Sequence, residues 1–306
     1  MRILVTGGAG FIGSHINKLL LDAGHGVVVI DNLSHGSKDL VDSRAQFIEA
    51  DISDSDAIES ALEGVDWVMH MAGLIEIPLS VKDPLGFAQN NVMGSLSLFE
   101  SMLKKGVKKI VFSSTAAVYG LSDNLPLTED AKLSSTNPYG ASKIAVEQFL
   151  SSYHTLHEFD VVILRYFNPY GPNELHEPET HVIPNFIKAA LAGEELPVYW
   201  GGGQVRDFIY VEDLARAHIE VLNLSGFNVF NVGCEKGVKV NEVVETLGKI
   251  LEKDLKVKDL GERAGDVPAN YASSKLLEET TGWRAKVDLE EGLKKTIDWF
   301  KNQQQN

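Results

Sequence analysis

Tyr139-Gly140-Ala141-Ser142-Lys143 sets a phenol and an ammonium four residues apart near the start of a helix predicted over Ser142–Leu156, a spacing that places both on one face. A tyrosine is ordinarily protonated at neutral pH. A neighbouring lysine cation, a helix N-terminus and a bound cation would each favour its phenolate, giving a base able to work near neutrality. Upstream, Ser113-Ser114-Thr115 puts three hydroxyls at the end of the strand-like run Lys109–Phe112, where open α/β sheets place their chemistry. Thr115 can hydrogen-bond the same substrate oxygen and steady the proton transfer. The two residues that follow, Ala116 and Ala117, offer neither acid nor base.

A second constellation points to a nucleotide. Gly7-Gly8-Ala9-Gly10-Phe11-Ile12-Gly13 follows the first strand and opens the first helix. The spacing of Gly7, Gly10 and Gly13 allows a tight turn, close backbone approach to a pyrophosphate, and close helix–sheet contact. Asp31, followed by Asn32, ends the next strand, where a carboxylate accepts hydrogen bonds from ribose hydroxyls and repels a 2′-phosphate. NAD is therefore expected over NADP, and a bound nicotinamide cation would favour the Tyr139 phenolate. Asp51-Ile52 either borders the adenine or begins a helix with Asp51 as its cap. Ala72-Gly73 and Ser113 are small enough to let the cofactor pass.

The elements that must position these residues are legible as periodicity. Strands are predicted at Ile3–Thr6, Val27–Ile30, Phe47–Glu49, Trp67–His70, Lys109–Phe112 and Val161–Leu164, with helices between them at Gly10–Ala23, Asp54–Leu62, Asn90–Lys105 and Ser142–Leu156. This alternation predicts an α/β fold, a Rossmann-type doubly wound parallel sheet, with a smaller C-terminal substrate-binding α/β lobe. The expected division is 1–168 for the NAD-binding domain and 169–306 for the substrate lobe, interleaved with the first. Helices in the second part are expected near Val182–Leu191, Val211–Leu222, Val240–Leu251 and Glu290–Lys301.

With 28 Lys+Arg against 43 Asp+Glu, the 306-residue chain carries −15, which disfavours nucleic acid and anionic membranes as partners. Its single cysteine, Cys234, cannot form an internal disulfide, and a cytoplasmic location is expected.

Taken together, these motifs resemble the extended short-chain dehydrogenase/reductase family of NAD-dependent sugar-nucleotide epimerases and dehydratases, most closely its 4-epimerases of UDP-glucose and UDP-galactose. The resemblance covers nearly the whole chain. It implies that Thr115, Tyr139 and Lys143 form the catalytic set, that Lys143 also holds the nicotinamide ribose, that Asn91 lies by the cofactor, and that Tyr166, Asn168 and Pro169 line the nicotinamide and the sugar nucleotide. Dehydratases of this family follow the hydroxyl with an Asp-Glu pair; here Ala116 and Ala117 leave elimination without acid or base, so epimerisation through a transient 4-keto sugar is implied.

On the substrate side the resemblance makes Arg206 and Arg263 the arginines that grip the diphosphate, and bidentate guanidinium contacts are the physical means by which an acidic protein localises a phosphate. It places Asp266 at the ribose or behind Arg263, and His181 and Val182 beside the nucleotide. Val198 and Trp200 are expected near the uracil, with core packing the alternative for Trp200. Two positions depart from the usual pattern. Ile75 stands where many members carry a lysine, and Asn270 replaces a bulky residue at the sugar gate, leaving room for N-acetylhexosamines. UDP-N-acetylglucosamine or UDP-glucuronate 4-epimerisation, or reduction of a nucleotide-linked keto sugar, are the alternatives. No metal is expected, since His176 and His181 with Glu177 and Glu179 read as a solvated loop. Extra apolar residues on the helices after Asn91 and Tyr139 predict a homodimer, as in the family.

Overall fold

Val27–Ile30 shows no polar alternation, and both faces of that run are buried, as in a strand covered by helices on either side. The computed structural model describes residues 1–175, 181–262 and 267–303. Its strands are β1 (Arg2–Thr6), β2 (Gly26–Asp31), β3 (Gln46–Glu49), β4 (Trp67–His70), β5 (Lys109–Thr115), β6 (Asp160–Tyr166), β7 (Asn168–Tyr170), β8 (Leu196–Val198), β9 (Val205–Arg206), β10 (Phe208–Tyr210), β11 (Phe227–Val232), β12 (Val238–Lys239) and β13 (Val257–Asp259). The helices are α1 (Phe11–Asp22), α2 (Ser55–Ala61), α3 (Ile77–Lys82), α4 (Pro84–Phe87), α5 (Gly94–Lys105), α6 (Pro138–His157), α7 (Val182–Ala192), α8 (Val211–Glu220), α9 (Val240–Leu251), α10 (Lys275–Thr281) and α11 (Leu289–Gln303).

Seven strands form one parallel sheet in the order β11-β6-β5-β4-β1-β2-β3. The order reverses between β1 and β4, which opens a crevice at the carboxyl ends of those strands. Alternate side chains feed opposite cores. Ile3 and Val5 of β1 pack with Ile16 and Leu20 of α1 and Leu214 of α8, whereas Leu4 packs with Leu98, Phe99 and Met102 of α5 and Val146 of α6. A separate core joins α7, α9 and α11 through Ile183, Phe186, Val243, Leu247 and Ile297.

The chain after 169 therefore returns to the first layer. β11 pairs in parallel with β6, from Phe227 opposite Val161 to Val232 opposite Tyr166. This strand is not predicted from sequence, because Asn228 and Asn231 interrupt its apolar run; Asn231 is fully buried and is satisfied by Tyr119, whose hydroxyl donates to its side-chain carbonyl at 2.6 Å. Helices α3, α4 and α10 are also absent from the sequence reading. The helix expected to start at Asn90 begins as a π-helical turn over Ala88–Met93 and becomes α-helical only at Gly94.

Candidate active site

The turn from β1 into α1 is built by close approach. A β carbon on Gly13 would lie 2.4 Å from the Gly7 carbonyl oxygen, so only glycine lets the first turn of α1 press on the loop. Gly10 caps α1 without a side-chain hydrogen bond, which leaves the first-turn N–H groups facing the crevice for an anion. Asp31, at the end of β2, accepts from Ala9 N–H at 2.9 Å and from Leu33 N–H at 2.9 Å, so its carboxylate is oriented beside this loop. Asp51 does not cap α2. The cap of α2 is Asp54, which accepts from Ala57 N–H, while Asp51 accepts from the Asn32 amide at 2.7 Å and from Ser53 N–H at 2.8 Å. Partial burial raises the Asp51 carboxyl, but these donors outweigh it and hold it below its ordinary value.

A cleft of about 400 Å³ runs from this loop to the end of β5. Gly7, Gly10, Phe11, Ile12, Gly13, Asp31, Asn32, Asp51, Ile52, Ala72, Gly73 and Ser113 line one part of it. Thr115, Tyr139, Lys143, Tyr166, Asn168 and Pro169 line the next, and His181, Val182, Arg206 and Asn270 the far end.

Tyr139 reaches this cleft because α6 starts tightly. Asn137 caps it by accepting from Gly140 N–H at 2.9 Å, and Pro138 occupies the first turn. A β carbon on Gly140 would meet the Ala117 carbonyl at 2.6 Å, so the glycine after the tyrosine is what brings the start of α6 against the end of β5. Thr115 hydrogen-bonds the Tyr139 phenol. Lys143 is 3% exposed and donates from Nζ to the Ser113 carbonyl at 2.7 Å. Burial raises Tyr139 to about 12, against the Thr115 hydrogen bond, with Glu76 adding to the rise; burial lowers Lys143 to about 7, against the charge of Glu147. In the chain alone desolvation thus keeps the phenol protonated, and the phenolate expected from sequence requires an added positive charge. Ala116 and Ala117 present methyl groups to the same space.

Arg206 is buried, with Nη1 donating to the Val205 carbonyl at 2.8 Å and Nη2 to the Val267 carbonyl at 2.7 Å. Asn168 donates from Nδ2 to the Asp207 carbonyl at 3.1 Å.

Three expected site residues do not line the cleft. Asn91 is not a lining residue: it sits in the π-helical turn with its amide fully engaged, donating to the Leu74 carbonyl and Ser142 Oγ and accepting from Leu74 N–H and the Asn90 amide. It fixes the wall segment after Gly73 from behind. Val198 does not reach the cleft because its side chain is buried in the core of α7 and α9. Trp200 is likewise absent from the lining; its backbone N–H donates to the Gly261 carbonyl at 2.8 Å, in the turn after β8. Arg263 and Asp266, and the loop residues His176, Glu177 and Glu179, lie outside the described residues. Among the described residues no cluster of potential metal ligands occurs. His35 and Glu76 line the cleft and carry no spacing signal in the sequence.

The family model described as "NAD dependent epimerase/dehydratase family" matches residues 3–233. The chain belongs to this family. Among its relatives, the UDP-glucose 4-epimerase of Bacillus subtilis is 39% identical, over 98% of this chain and 96% of that protein. The crystal structure of a Thermotoga maritima UDP-glucose 4-epimerase with UDP-glucose superimposes with a TM-score of 0.96 at 36% identity, covering 99% of this chain and 100% of that one. A Methanobrevibacter ruminantium UDP-N-acetylglucosamine 4-epimerase, in complex with UDP-N-acetylmuramic acid, has a TM-score of 0.93 at 39% identity and covers 99% and 98% of the two chains. The family's cofactor fits the residues present: the glycine loop has no room for side chains, the start of α1 is uncapped, and the Asp31 carboxylate stands beside it.

Proposed function

We propose that this protein is an NAD-dependent UDP-sugar 4-epimerase that interconverts UDP-glucose and UDP-galactose. The observation that carries the reading is the convergence of Thr115, Tyr139 and Lys143 at one end of the NAD groove, with two alanine methyls where an eliminating enzyme needs an acid and a base. When bound, NAD supplies the hydride carrier and, oxidised, a positive charge that favours the Tyr139 phenolate. Tyr139 takes the proton of the sugar 4-hydroxyl while Thr115 holds that oxygen, and the hydride at C4 would pass to the bound carrier, leaving a 4-keto sugar. Lys143 steadies the phenolate. The 4-keto sugar turns in the cleft, the same hydride would return to the other face of C4 while Tyr139 returns the proton to O4, and C4 is rebuilt with the opposite configuration. Arg206, with Arg263, holds the diphosphate while the sugar moves.

Incubating the protein with UDP-glucose and NAD, without reductant, tests this by NMR. The expected product is the C4 epimer, with no 4-keto-6-deoxy sugar and no net change at 340 nm, and Tyr139→Phe lowers kcat by about 10²–10⁴. A dehydrated product, or stoichiometric cofactor turnover, overturns the assignment.

Asn270 supports a second substrate. It lines the cleft, and its small side chain leaves room at C2 of the sugar for an acetamido group.

We further propose that residues 1–168 hold the cofactor and the lobe after 169 the sugar nucleotide, with α8 and β11 returned to the cofactor layer. The protein acts as a homodimer in the cytoplasm. The dimer is supported by apolar residues left exposed on α4, the π-helical turn and α6, Leu85 at 81%, Met93 at 52% and Phe149 at 40%. The single cysteine supports the compartment.

A further inference from the structure

The buried Glu76 carboxylate stands in a cleft whose glycine loop is built for an anionic diphosphate, and the reaction gives it no task. Taking a carboxylate out of water is costly unless it is paired, and placing it by an anion site adds to the cost. Its partner is His35, whose Nε2 lies 3.2 Å from Glu76 Oε1; the two side chains are 36% and 2% exposed. The other Glu76 oxygen accepts from Ile75 N–H at 3.2 Å.

Where the two residues come from gives the contact its meaning. β1 lies between β2 and β4, and all three are parallel, so their following connections leave from the same end of the sheet. His35 is in the connection after β2, and Glu76 in the one after β4. A bond between them crosses the end of β1, where the glycine loop begins. The His35 segment is also seated on that loop, because Ser37 N–H donates to the Ala9 carbonyl at 3.0 Å. Both side chains line the same cleft as Gly7, Gly10 and Gly13.

We propose that His35 and Glu76 form a clasp that crosses the glycine loop and holds NAD in its groove between turnovers. An epimerase leaves its cofactor in the oxidation state in which it found it, so the cofactor has no need to leave, and a clasp that slows its exit does not limit turnover. In this chain the wall after Gly73 is closed by a side-chain contact between two loops.

This rests on the proposed function only in taking NAD as the ligand of the glycine loop. The test is the exchange of NAD bound to the purified holoenzyme against excess etheno-NAD, followed by fluorescence. His35→Ala and Glu76→Ala are each expected to speed exchange about tenfold, and the double variant no more than the faster single, since both remove one contact. His35 is on the surface, so His35→Ala keeps the fold, which circular dichroism and thermal melting verify. Exchange in His35→Ala as slow as in the parent protein, or single effects that multiply in the double variant, overturns the clasp and leaves the epimerase reading standing. A folded protein that binds no NAD overturns both.

Discussion

Tyr139 and Lys143 show burial acting in opposite senses on an acid and a base one turn apart, raising one to about 12 and lowering the other to about 7. Two histidines away from the reaction feel the same force. His70, between Thr6 Oγ1 and Ser95 Oγ at 2.8 Å each, is lowered by burial to about 3, and His218, beside the Tyr166 phenol, to about 4. Both are neutral in the folded state but gain protons in the unfolded chain below about pH 6.5, so stability is lost as pH falls from there towards 4. Asp207 acts in reverse: burial raises it to about 6, so its contribution is present at low pH and is lost as pH rises through 6. Two histidines outweigh one aspartate, and urea unfolding is expected to give about 2 kcal/mol less stability at pH 5 than at pH 7. An equal or higher value at pH 5 would remove the histidines as the acid-sensitive groups. At Asn270 the expectation concerns specificity. Asn270→Tyr fills the space at C2 and is expected to cut kcat/KM for UDP-N-acetylglucosamine about tenfold or more while sparing UDP-glucose, measured by NMR turnover. Equal losses on both sugars would show that the side chain does not read C2.

Between elements, the catalytic helix is locked to the sheet by a buried ion pair. Glu147, one turn beyond Lys143, takes two hydrogen bonds from Arg165 of β6, at 3.1 and 2.6 Å, and one from Ser114 of β5. Arg165 also donates from Nη1 to the Tyr119 hydroxyl and the Glu129 carbonyl, at 2.9 Å each. The network fixes how far α6 stands from the hydroxyl-bearing end of β5, and hence Tyr139 from Thr115. Glu147→Ala strands a buried guanidinium and is expected to cost about 3–5 kcal/mol, whereas the paired apolar replacement Glu147→Leu with Arg165→Met recovers most of it. Urea titration of the three proteins decides; a double variant no more stable than Glu147→Ala would make the pair intrinsically stabilising. The pair was invisible in the sequence because its members are on different elements with no shared spacing. The same limit hid β11, whose buried Asn231 reads as a loop residue until Tyr119 is seen to satisfy it.

For the molecule as a whole, the reversal of strand order between β1 and β4 opens the crevice, and Arg206 and Asn270, from the chain after 169, line its far end. The dimer proposed through α4, the π-helical turn and α6 belongs to this scale. Sedimentation velocity at micromolar concentration is expected to give twice the chain mass, and Phe149→Asp to give monomer, since a charge in an apolar contact is left unpaired. A monomeric parent protein would overturn it.

Local pattern alone picked out the glycine loop, Asp31 and the Tyr139–Lys143 spacing, because each depends on residue type at short spacing on one element; grouping Thr115 with them rested on the family resemblance. The six strands and the doubly wound sheet were equally legible, since runs buried on both faces leave no polar alternation. Tertiary structure decided which neighbours of those motifs face the cleft. Asn91 turns behind the wall in a π-helical turn, Val198 goes into a core, and Asp51 leaves the helix cap to Asp54. It also decided that His35 and Glu76 meet, because only strand order places the connections after β2 and β4 on either side of the loop after β1. Spacing along a chain specifies an element; distance between elements is set by packing, and packing is where these contacts arise.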